Sequence, residues 1–292
     1  MSGSELMKEG KMSGYFYGWY MKCQSKDSTV AFISARHKNG TSETASLQVI
    51  TEDGAWNIDM PGKAFKKDCA NIFLGKNRFG KNGIRVNIDN PEARIKGKLD
   101  FGQITPIKYD IMGPFALIPF MECRHYVFSM RHSVNGKVVI NGKNYVFENA
   151  VGYWEGDSGR SFPKDYLWTH TCFSGGSLML SVADIPFGPL HFTGIIGIVY
   201  YNKKEYRFAT YLGAHIQELR DGKVRIKQGN MVFEAHLLES SGRALNAPVG
   251  GSMIRTIHES ASCKASYKLR IKGKTVFSFK TNKASFEYEY PS

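Results

Sequence analysis

The sequence lacks an uninterrupted run of about 18 apolar residues, the length that a membrane-spanning helix needs. The stretch that comes nearest, Ile185 to Tyr201, contains His191 and several glycine and proline residues. The N-terminal sequence MSGSELMKEGKM has no apolar core of the kind that a secretory signal carries. The five cysteines, none in a CxxC pair, are Cys23, Cys69, Cys123, Cys172 and Cys263. These absences predict a reduced, cytoplasmic protein without structural zinc.

Motifs for nucleotide binding and hydrolysis are absent as well. The sequence has no P-loop, no G-x-G-x-x-G after a strand pattern and no G-x-S-x-G nucleophile motif. His125 follows Cys123 by two residues, but no third ligand or orienting group has a recognisable spacing. We therefore interpret His125 as a core histidine satisfied by hydrogen bonds, and we predict neither a metal ion nor a cofactor.

Positive charge is in excess but is not concentrated. The formal net charge is +13, and lysine and arginine are spread through turn-like segments such as GKNRFGKNG and RIKGK. This distribution is typical of solvated turns, so we expect no specific nucleic-acid surface. The same charge favours peripheral contact with an anionic membrane surface, where apolar molecules collect.

Strand patterns dominate what is present. Short apolar runs alternate with Gly, Asn or Asp, which predicts an antiparallel all-β layout. Asn141-Gly142 lies between VVI and NYVF and predicts a tight hairpin, because both residues accept a positive φ. The predicted strands are Tyr15 to Lys22, Val30 to Arg36, Ala45 to Ile50, Ile84 to Ile88, Ile95 to Phe101, Tyr126 to His132, Lys137 to Ile140 and Tyr145 to Phe147.

The second half of the chain repeats the first. GWYMK matches LWTHT, LGKNRFGKNGIRVNI matches LGAHIQELRDGKVRI, MECRHYVFSM matches MIRTIHESAS, and INGKNYVF matches IKGKTVFSF, all in the same order. A unit of about 140 residues built of antiparallel strands has the size of one small closed barrel. We therefore predict an all-β fold of two tandem lipocalin-like antiparallel β-barrels, with an N-terminal barrel over residues 12–157 and a C-terminal barrel over residues 158–292.

The segment that joins these barrels, GYWEGDSGRSFPKDYLWTH, combines charges with large rings. Ligand sites favour domain junctions and barrel mouths, so this segment is a candidate site. The two-residue period of a strand puts Tyr166, Trp168 and His170 on one face. In the matching first strand it puts Tyr15, Tyr17 and Trp19 on one face. We expect both sets of rings to face the barrel interiors.

Four segments resemble the tocopherol cyclase-like family, which is distantly related to the carotenoid hydratases and shares their tandem lipocalin-like architecture. They are FYGWYMK, MGPFALIPFMECRHYVFSM, GYWEGDSGRSFPKDYLW and LNAPVGGSMIRTIHES, and the resemblance runs from about residue 14 to 290. It implies a double barrel around a prenylated, largely apolar ligand. At two motif positions the chain differs from the family: Tyr17 stands where a glutamate is usual, and Ser158 where an aromatic residue is usual.

The reaction that the resemblance implies is ring closure of a phenol or quinol onto a prenyl double bond. It needs a general acid, a dry cavity and electron-rich rings that stabilise a carbocation. We predict Asp157 and Glu155 as the catalytic pair, with one carboxyl kept protonated by burial and by the other's charge. The predicted ligand-binding side chains are Trp154, Trp168, Trp19, Tyr17, Tyr166, His170 and Arg160.

Other interpretations of the same residues remain open. Glu155 and Asp157 are also suited to capping backbone amides or pairing with Arg160, and Trp19 and Trp168 to packing at the closed ends of the barrels. For the whole protein the alternatives to a cofactor-free cyclase are a non-catalytic carrier of an apolar lipid or isoprenoid and, third, a nucleic-acid-binding module. Carboxyls that face a cavity would favour the enzyme.

Overall fold

The structure is a computed structural model that describes residues 14–118, 121–187, 190–239 and 242–291. Residues 12, 13 and 292 of the predicted barrels, and residues 119 and 120 of the second family-like segment, lie outside the described residues. Among those described, no helix is long and apolar enough to cross a membrane. The described cysteines, which are all five, form no disulfide.

The first half of the chain forms an 11-stranded antiparallel sheet. Its strands are β1 (Gly14–Gln24), β2 (Thr29–Asn39), β3 (Ser42–Thr51), β4 (Ala55–Pro61), β5 (Phe65–Lys67), β6 (Asn71–Leu74), β7 (Asn77–Gly80), β8 (Gly83–Asp89), β9 (Arg94–Phe101), β10 (Cys123–Ile140) and β11 (Lys143–Gly159). Their order in the sheet is β4-β3-β2-β1-β11-β10-β9-β8-β7-β6-β5. A 3₁₀ turn, Gly62–Ala64, joins the two edge strands, and a second, Gly113–Leu117, lies between β9 and β10.

The second half forms a 10-stranded sheet. Its strands are β12 (Tyr166–Phe173), β13 (Gly176–Phe187), β14 (Leu190–Tyr201), β15 (Lys204–Ala209), β16 (His215–Arg220), β17 (Lys223–Gln228), β18 (Met231–Glu239), β19 (Arg243–Val249), β20 (Ser252–Ile271) and β21 (Lys274–Tyr288). The order is β15-β14-β13-β12-β21-β20-β18-β17-β16, with β19 paired to β20. The 3₁₀ turn Thr210–Leu212 joins the edge strands β15 and β16.

The two sheets repeat one topology, which confirms the predicted duplication. In each, the first strand of the half pairs with the last strand, and a single 3₁₀ turn brings the two edge strands together. The matched sequence segments fall on corresponding elements, for example on β7–β8 and β16–β17. An antiparallel sheet whose edges are joined in this way belongs to the lipocalin-like barrel type of domain. The fold class predicted from the sequence is therefore confirmed.

The hairpin predicted at Asn141-Gly142 is present. Both residues have positive φ, 48° and 84°, and they connect β10 to β11. The corresponding turn of the second sheet, Lys272-Gly273, has the same conformation, with φ values of 50° and 77°. These values are typical of a primed turn, whose twist matches that of the flanking strands.

The core of the first sheet lies on the face to which Tyr15, Tyr17 and Trp19 point. These side chains share one hydrophobic core with Phe32, Leu47, Phe79 and other apolar residues of the sheet. The predicted interior orientation of the β1 rings is confirmed. Because successive strand residues alternate between faces, Phe16, Gly18 and Tyr20 belong to the opposite face, which we call the outer face of the first sheet.

For the second sheet the corresponding prediction is wrong. Leu167 belongs to the hydrophobic core, and Thr169 donates or accepts a hydrogen bond of 2.6 Å with the core residue Tyr267. Tyr166, Trp168 and His170 therefore lie on the face turned away from this core. The sequence match aligned Trp168 with Trp19, but a shift of one residue along a strand reverses the face of every side chain.

The described residues form two compact units. The first takes those within Met1–Pro106, Ile118–Phe162 and Leu245–Thr256, and the second those within Ile107–Leu117, Pro163–Ala244 and Ile257–Ser292. Each unit thus includes a short segment from the other half of the chain. The assignment of residues 12–157 and 158–292 to separate barrels stays a prediction.

Candidate active site

Strand register gathers three ionisable side chains on the outer face of the first sheet. β11 runs between β1 and β10, and Asp157 is the cross-strand partner of Gly18 on β1 and of His125 on β10. Glu155, two residues before Asp157, shares its face and is the partner of Tyr20 and Val127. Directly paired residues have side chains on the same face. His125, Glu155 and Asp157 are therefore neighbours although they come from two strands.

The imidazole of His125 lies between the two carboxylates. Its Nδ1 is 2.8 Å from Asp157 Oδ1, a hydrogen bond, and its Nε2 is 3.1 Å from Glu155 Oε2. The second contact has ion-pair distance without hydrogen-bond alignment. Tyr153 donates its hydroxyl to Glu155 Oε2 over 2.5 Å, and Cys123 Sγ is 3.6 Å from Asp157 Oδ1. The result is a chain of proton-carrying groups from Tyr153 to Cys123, which we call the outer-face relay.

Burial differs along the relay. The side chains of His125 and Glu155 are 9% and 5% exposed, whereas that of Asp157 is 22% exposed. Burial by itself lowers the pKa of His125, but the charges of Asp157 and Glu155 raise it further than burial lowers it, so its pKa lies well above the usual value. The imidazole therefore keeps its proton at neutral pH, and Asp157 is the more exposed of its two carboxylate partners, the one that a reactant can reach.

Burial also acts on the other members of the relay. It raises the pKa of Glu155, and the charge of Asp157 adds to the rise while His125 opposes it. Burial raises the pKa values of the Tyr153 hydroxyl and the Cys123 thiol well above their usual range, and the neighbouring carboxylates raise them further. Cys123 therefore stays a thiol and is not suited to act as a thiolate nucleophile.

The relay has the residue types of a metal site, since one ligand atom from each of His125, Glu155 and Asp157 lies within 4.8 Å of the others. Its geometry does not fit one ion, because the two carboxylates flank opposite nitrogens of the same ring. A metal ion bound to one ring nitrogen of His125 would be coordinated by the carboxylate on that side of the ring and not by the carboxylate on the other side. When the imidazole of His125 is protonated, each of its ring nitrogens carries a hydrogen and faces one carboxylate, so the cation interacts with both.

The predicted ligand-binding rings of β1 and β11 lie on the core face of the sheet, away from the relay. Trp19 and Trp154 have ring centroids 4.8 Å apart, and Trp154 stacks on Phe128 at 4.5 Å. Trp19 Nε1 donates to Tyr17 Oη over 2.9 Å. The expectation that these indoles and the two carboxylates share one site is wrong, because Trp154 and Glu155 are adjacent strand residues and so face opposite sides.

The remaining predicted residues are not brought to the relay within the first unit. Arg160 is exposed, and its backbone N–H donates to Glu122 O over 2.8 Å. Tyr166, Trp168 and His170 belong to the second unit, where Tyr166 donates its hydroxyl to Glu287 and His170 Nε2 lies 3.3 Å from Ser177 Oγ. Whether these side chains contact a ligand stays a prediction.

Solved structures with this fold are known. The chain is similar to CghA, crystallised with Sch210972, at 11% identity and a TM-score of 0.61, over 95% of this chain and 89% of CghA. It is similar to kievitone hydratase from Nectria haematococca at 9% identity and a TM-score of 0.56, over 95% and 90%. The chain has the fold of these proteins. A Nitrosomonas europaea protein provisionally named AttH shares it too, at 8% identity and a TM-score of 0.56, over 97% and 94%.

No protein-family model matches the chain, and no curated protein matches it. At identities this low the structural likeness establishes the fold alone. The resemblance to the tocopherol cyclase-like family therefore stays a prediction.

The sequence predicted the two carboxylates of the relay but not His125, Tyr153 or Cys123, and His125 is the central member among these three. It was interpreted as a satisfied core histidine, and it is buried, but its partners are two carboxylates from a different strand. The useful signal was the Asn-Gly hairpin, which makes β10 and β11 neighbours. Counting from that turn does not predict the pairing, because three register irregularities separate it from His125.

Proposed function

We propose that the protein is a cofactor-independent enzyme that cyclises a prenylated quinol or a related isoprenoid by proton transfer. The observation that supports this most is the buried histidine between two carboxylates, one of which is partly exposed. Groups that bind and release protons at a site of low water content are what acid-catalysed chemistry on an alkene requires.

The reaction starts with transfer of the His125 proton from Nδ1 to Asp157 across their hydrogen bond of 2.8 Å. The carboxyl O–H protonates the less substituted carbon of the prenyl double bond, and the π electrons form the new C–H bond. A quinol hydroxyl oxygen attacks the resulting tertiary carbocation and forms the C–O bond. The proton that this oxygen loses returns to Asp157, so the product is an isomer of the substrate.

The other side chains of the outer face support this cycle. His125 holds a proton beside Asp157. Because it lies between two carboxylates, it can donate or accept a proton as Asp157 loses or regains one. Tyr20, the cross-strand partner of Glu155, places a ring on the same face, and an aromatic face stabilises a nearby cation. The negative charge of Glu155 stabilises the carbocation too.

The relatives in fold are compatible with proton-initiated chemistry. Kievitone hydratase is by its name an enzyme that adds water, and addition of water to an alkene begins with the same protonation as cyclisation. A carrier of the same apolar molecule needs only an apolar lining. Burying three ionisable groups together is costly, so the relay favours the enzyme over the carrier.

The proposal is tested with geranylhydroquinone as the probe. We expect the protein to convert it to a product of equal mass, followed by liquid chromatography and mass spectrometry. Asp157→Asn is expected to retain the fold and to lose at least about 10²-fold in turnover, because an amide cannot protonate an alkene. Asp59→Asn, which changes an exposed carboxyl of the same face, is the matched control and should retain turnover.

Three outcomes would contradict the proposal in different ways. A product heavier by one water molecule would indicate a hydratase that uses the same acid. Binding without conversion would favour the carrier. Full activity of a folded Asp157→Asn would remove Asp157 from the mechanism, whatever the reaction.

A further inference from the structure

A second buried histidine lies on the outer face of the first sheet. Gly18 is the partner of Asp157 on one side and of Ala35 on the other, and Ala35 is the partner of Ser46. The side chains of Asp157, Ala35 and Ser46 therefore lie in one row across the sheet. His37, two residues after Ala35, shares this face, and its Nε2 lies 3.0 Å from Ser46 Oγ.

Among the described residues, the other ring nitrogen of His37 has no hydrogen-bond partner. The residue is 3% exposed, and Nδ1 is buried without a donor or acceptor among the described residues. Buried polar atoms of proteins are nearly always hydrogen-bonded, so an atom left without a partner requires an explanation. A bound ligand or a water molecule supplies the missing hydrogen bond.

The charge state of His37 limits what that ligand can be. Burial lowers the pKa of His37 to about 4, and the charge of the exposed Asp59 opposes the shift only in part. The imidazole is neutral at physiological pH, with one ring nitrogen as donor and the other as acceptor. A neutral ring gives no charge to balance a buried carboxylate or phosphate, whereas a hydroxyl group bonds to Nδ1 in either tautomer.

We propose that His37 Nδ1 hydrogen-bonds a hydroxyl group of the substrate, remote from the double bond that Asp157 protonates. The inference rests on the proposed function and adds the polar group by which the substrate is oriented. Two inter-strand spacings separate Asp157 from the strand of His37, about 10 Å between backbones. In a prenylated hydroquinone the group that fits is the hydroxyl para to the one that closes the ring.

Two probes that differ in this hydroxyl test the inference. Geranylhydroquinone carries it, and 2-geranylphenol lacks it but keeps the reacting hydroxyl and the prenyl chain. We expect the protein to bind geranylhydroquinone about tenfold more tightly by tryptophan fluorescence, because 2-geranylphenol leaves Nδ1 without a partner. His37→Phe should weaken binding of geranylhydroquinone about tenfold and leave 2-geranylphenol unchanged, so that the preference disappears.

His132→Phe is the matched control. His132 is buried to the same extent, its pKa is lowered to about 4 by burial, and its Nδ1 lies 3.0 Å from Ser129 Oγ. It contacts Phe101 beside the core of the first unit, and a side chain on Gly152 would meet its Nε2. This substitution should therefore keep the preference for geranylhydroquinone whatever it does to stability.

A spectroscopic measurement on the unsubstituted protein decides the case even if His37→Phe does not fold. With ¹⁵N-labelled histidine, the His37 ring signals should shift on addition of geranylhydroquinone and not of 2-geranylphenol. Failure to bind either probe would overturn the proposed function and this inference together. Binding without a preference, or a preference that survives in folded His37→Phe, would overturn the role of His37 and leave the proposed function standing.

Discussion

At the scale of single residues, His125 keeps a charge in a buried position because two carboxylates accompany it. Its Nδ1 bonds Asp157 and its Nε2 lies beside Glu155 Oε2, the oxygen to which Tyr153 also donates its hydroxyl. Removing one partner of a buried charge is more costly than the pair is worth, because the remaining charge is left uncompensated. The relay is therefore stabilised by the balance between the charge of the protonated imidazole and the charges of the carboxylates. Loss of the His125 proton removes that balance.

This balance predicts how stability depends on pH. The pKa of His125 is higher in the folded chain than in the unfolded one, so protonation of His125 stabilises the folded state. The contribution is complete below the unfolded pKa of about 6.5 and is lost as the pH rises through the higher folded pKa. We expect the free energy of unfolding, measured with urea from about pH 6 to about pH 10, to decrease towards alkaline pH.

His125→Gln isolates this contribution, because the amide keeps hydrogen bonding without titrating. The alkaline decrease in the free energy of unfolding should become smaller in this variant. Tyr153 and Cys123, whose pKa values are also raised, remain and contribute to what is left of the decrease, together with other buried groups such as Tyr145. An identical pH dependence in the two proteins would show that His125 does not hold its proton in the fold.

At the scale of elements, the two faces of β11 carry different side chains. Glu155 and Asp157 point to the outer face, whereas Trp154 and Ser158 point to the core face. Tyr17 and Ser158, the two departures from the family-like motifs, are cross-strand partners. In the family-like motifs the aromatic residue of this pair stands at position 158, whereas in this chain it stands at position 17. The Ser158 hydroxyl lies 3.0 Å from that of Tyr126.

Gly156 keeps the core face of β11 clear of a side chain. A Cβ there would lie 2.7 Å from Trp19 Cδ1 and 2.8 Å from the carbonyl oxygen of Gly18. We expect Gly156→Ala to lower the free energy of unfolding by about 1–3 kcal/mol and to change the near-ultraviolet circular dichroism of the stacked indoles. Gly40→Ala, at a turn glycine with φ of 58° and no described atom within 4 Å of its Cβ position, strains the backbone locally but should leave that spectrum unchanged. An unchanged spectrum in Gly156→Ala would show that the indoles do not pack against β11.

At the scale of the molecule, each compact unit depends on a segment from the other half of the chain. In the first unit, the amide of Gln48 exchanges two hydrogen bonds of 3.0 Å with the backbone of Asn246. In the second, Arg207 donates to the carbonyl oxygens of Tyr109 and Asp110 over 2.8 and 3.0 Å. The Arg207 side chain is 6% exposed and pairs with Glu205 at 3.2 Å, and the two carbonyl oxygens accept hydrogen bonds from its buried guanidinium.

Because each unit contains a segment from the other half of the chain, we predict that neither half is as stable alone as in the complete chain. Expressed separately, residues 1–162 lack the segment that contains Asn246, and residues 163–292 lack the segment that contains Tyr109 and Asp110. We expect each half alone to unfold at a lower temperature, or without a cooperative transition, in circular dichroism melts. The two halves expressed together contain every segment and should recover cooperative unfolding. Separate halves as stable as the complete chain would contradict this prediction.

The repeated fold was accessible from the sequence because its signals are local. Alternation of apolar and polar residues, turn residues such as Asn141-Gly142, and matched segments in constant order each depend on a few adjacent positions. These patterns predicted two antiparallel sheets of one topology and the interior rings of β1. The segment with Glu155 and Asp157 also drew attention, because it combines charges with large rings at a predicted domain junction.

Only the tertiary structure decided which face each of those side chains occupies and what it meets there. A bulge or a shift of one residue reverses every side chain of a strand, and neither is visible in composition or period. For that reason Trp168 was assigned to the wrong face, and Trp154 was grouped with carboxylates that lie on the other side of its own strand. His37 lies on the same face as Asp157 through pairing between strands far apart in sequence, and His125 meets Asp157 across a hairpin with three register irregularities.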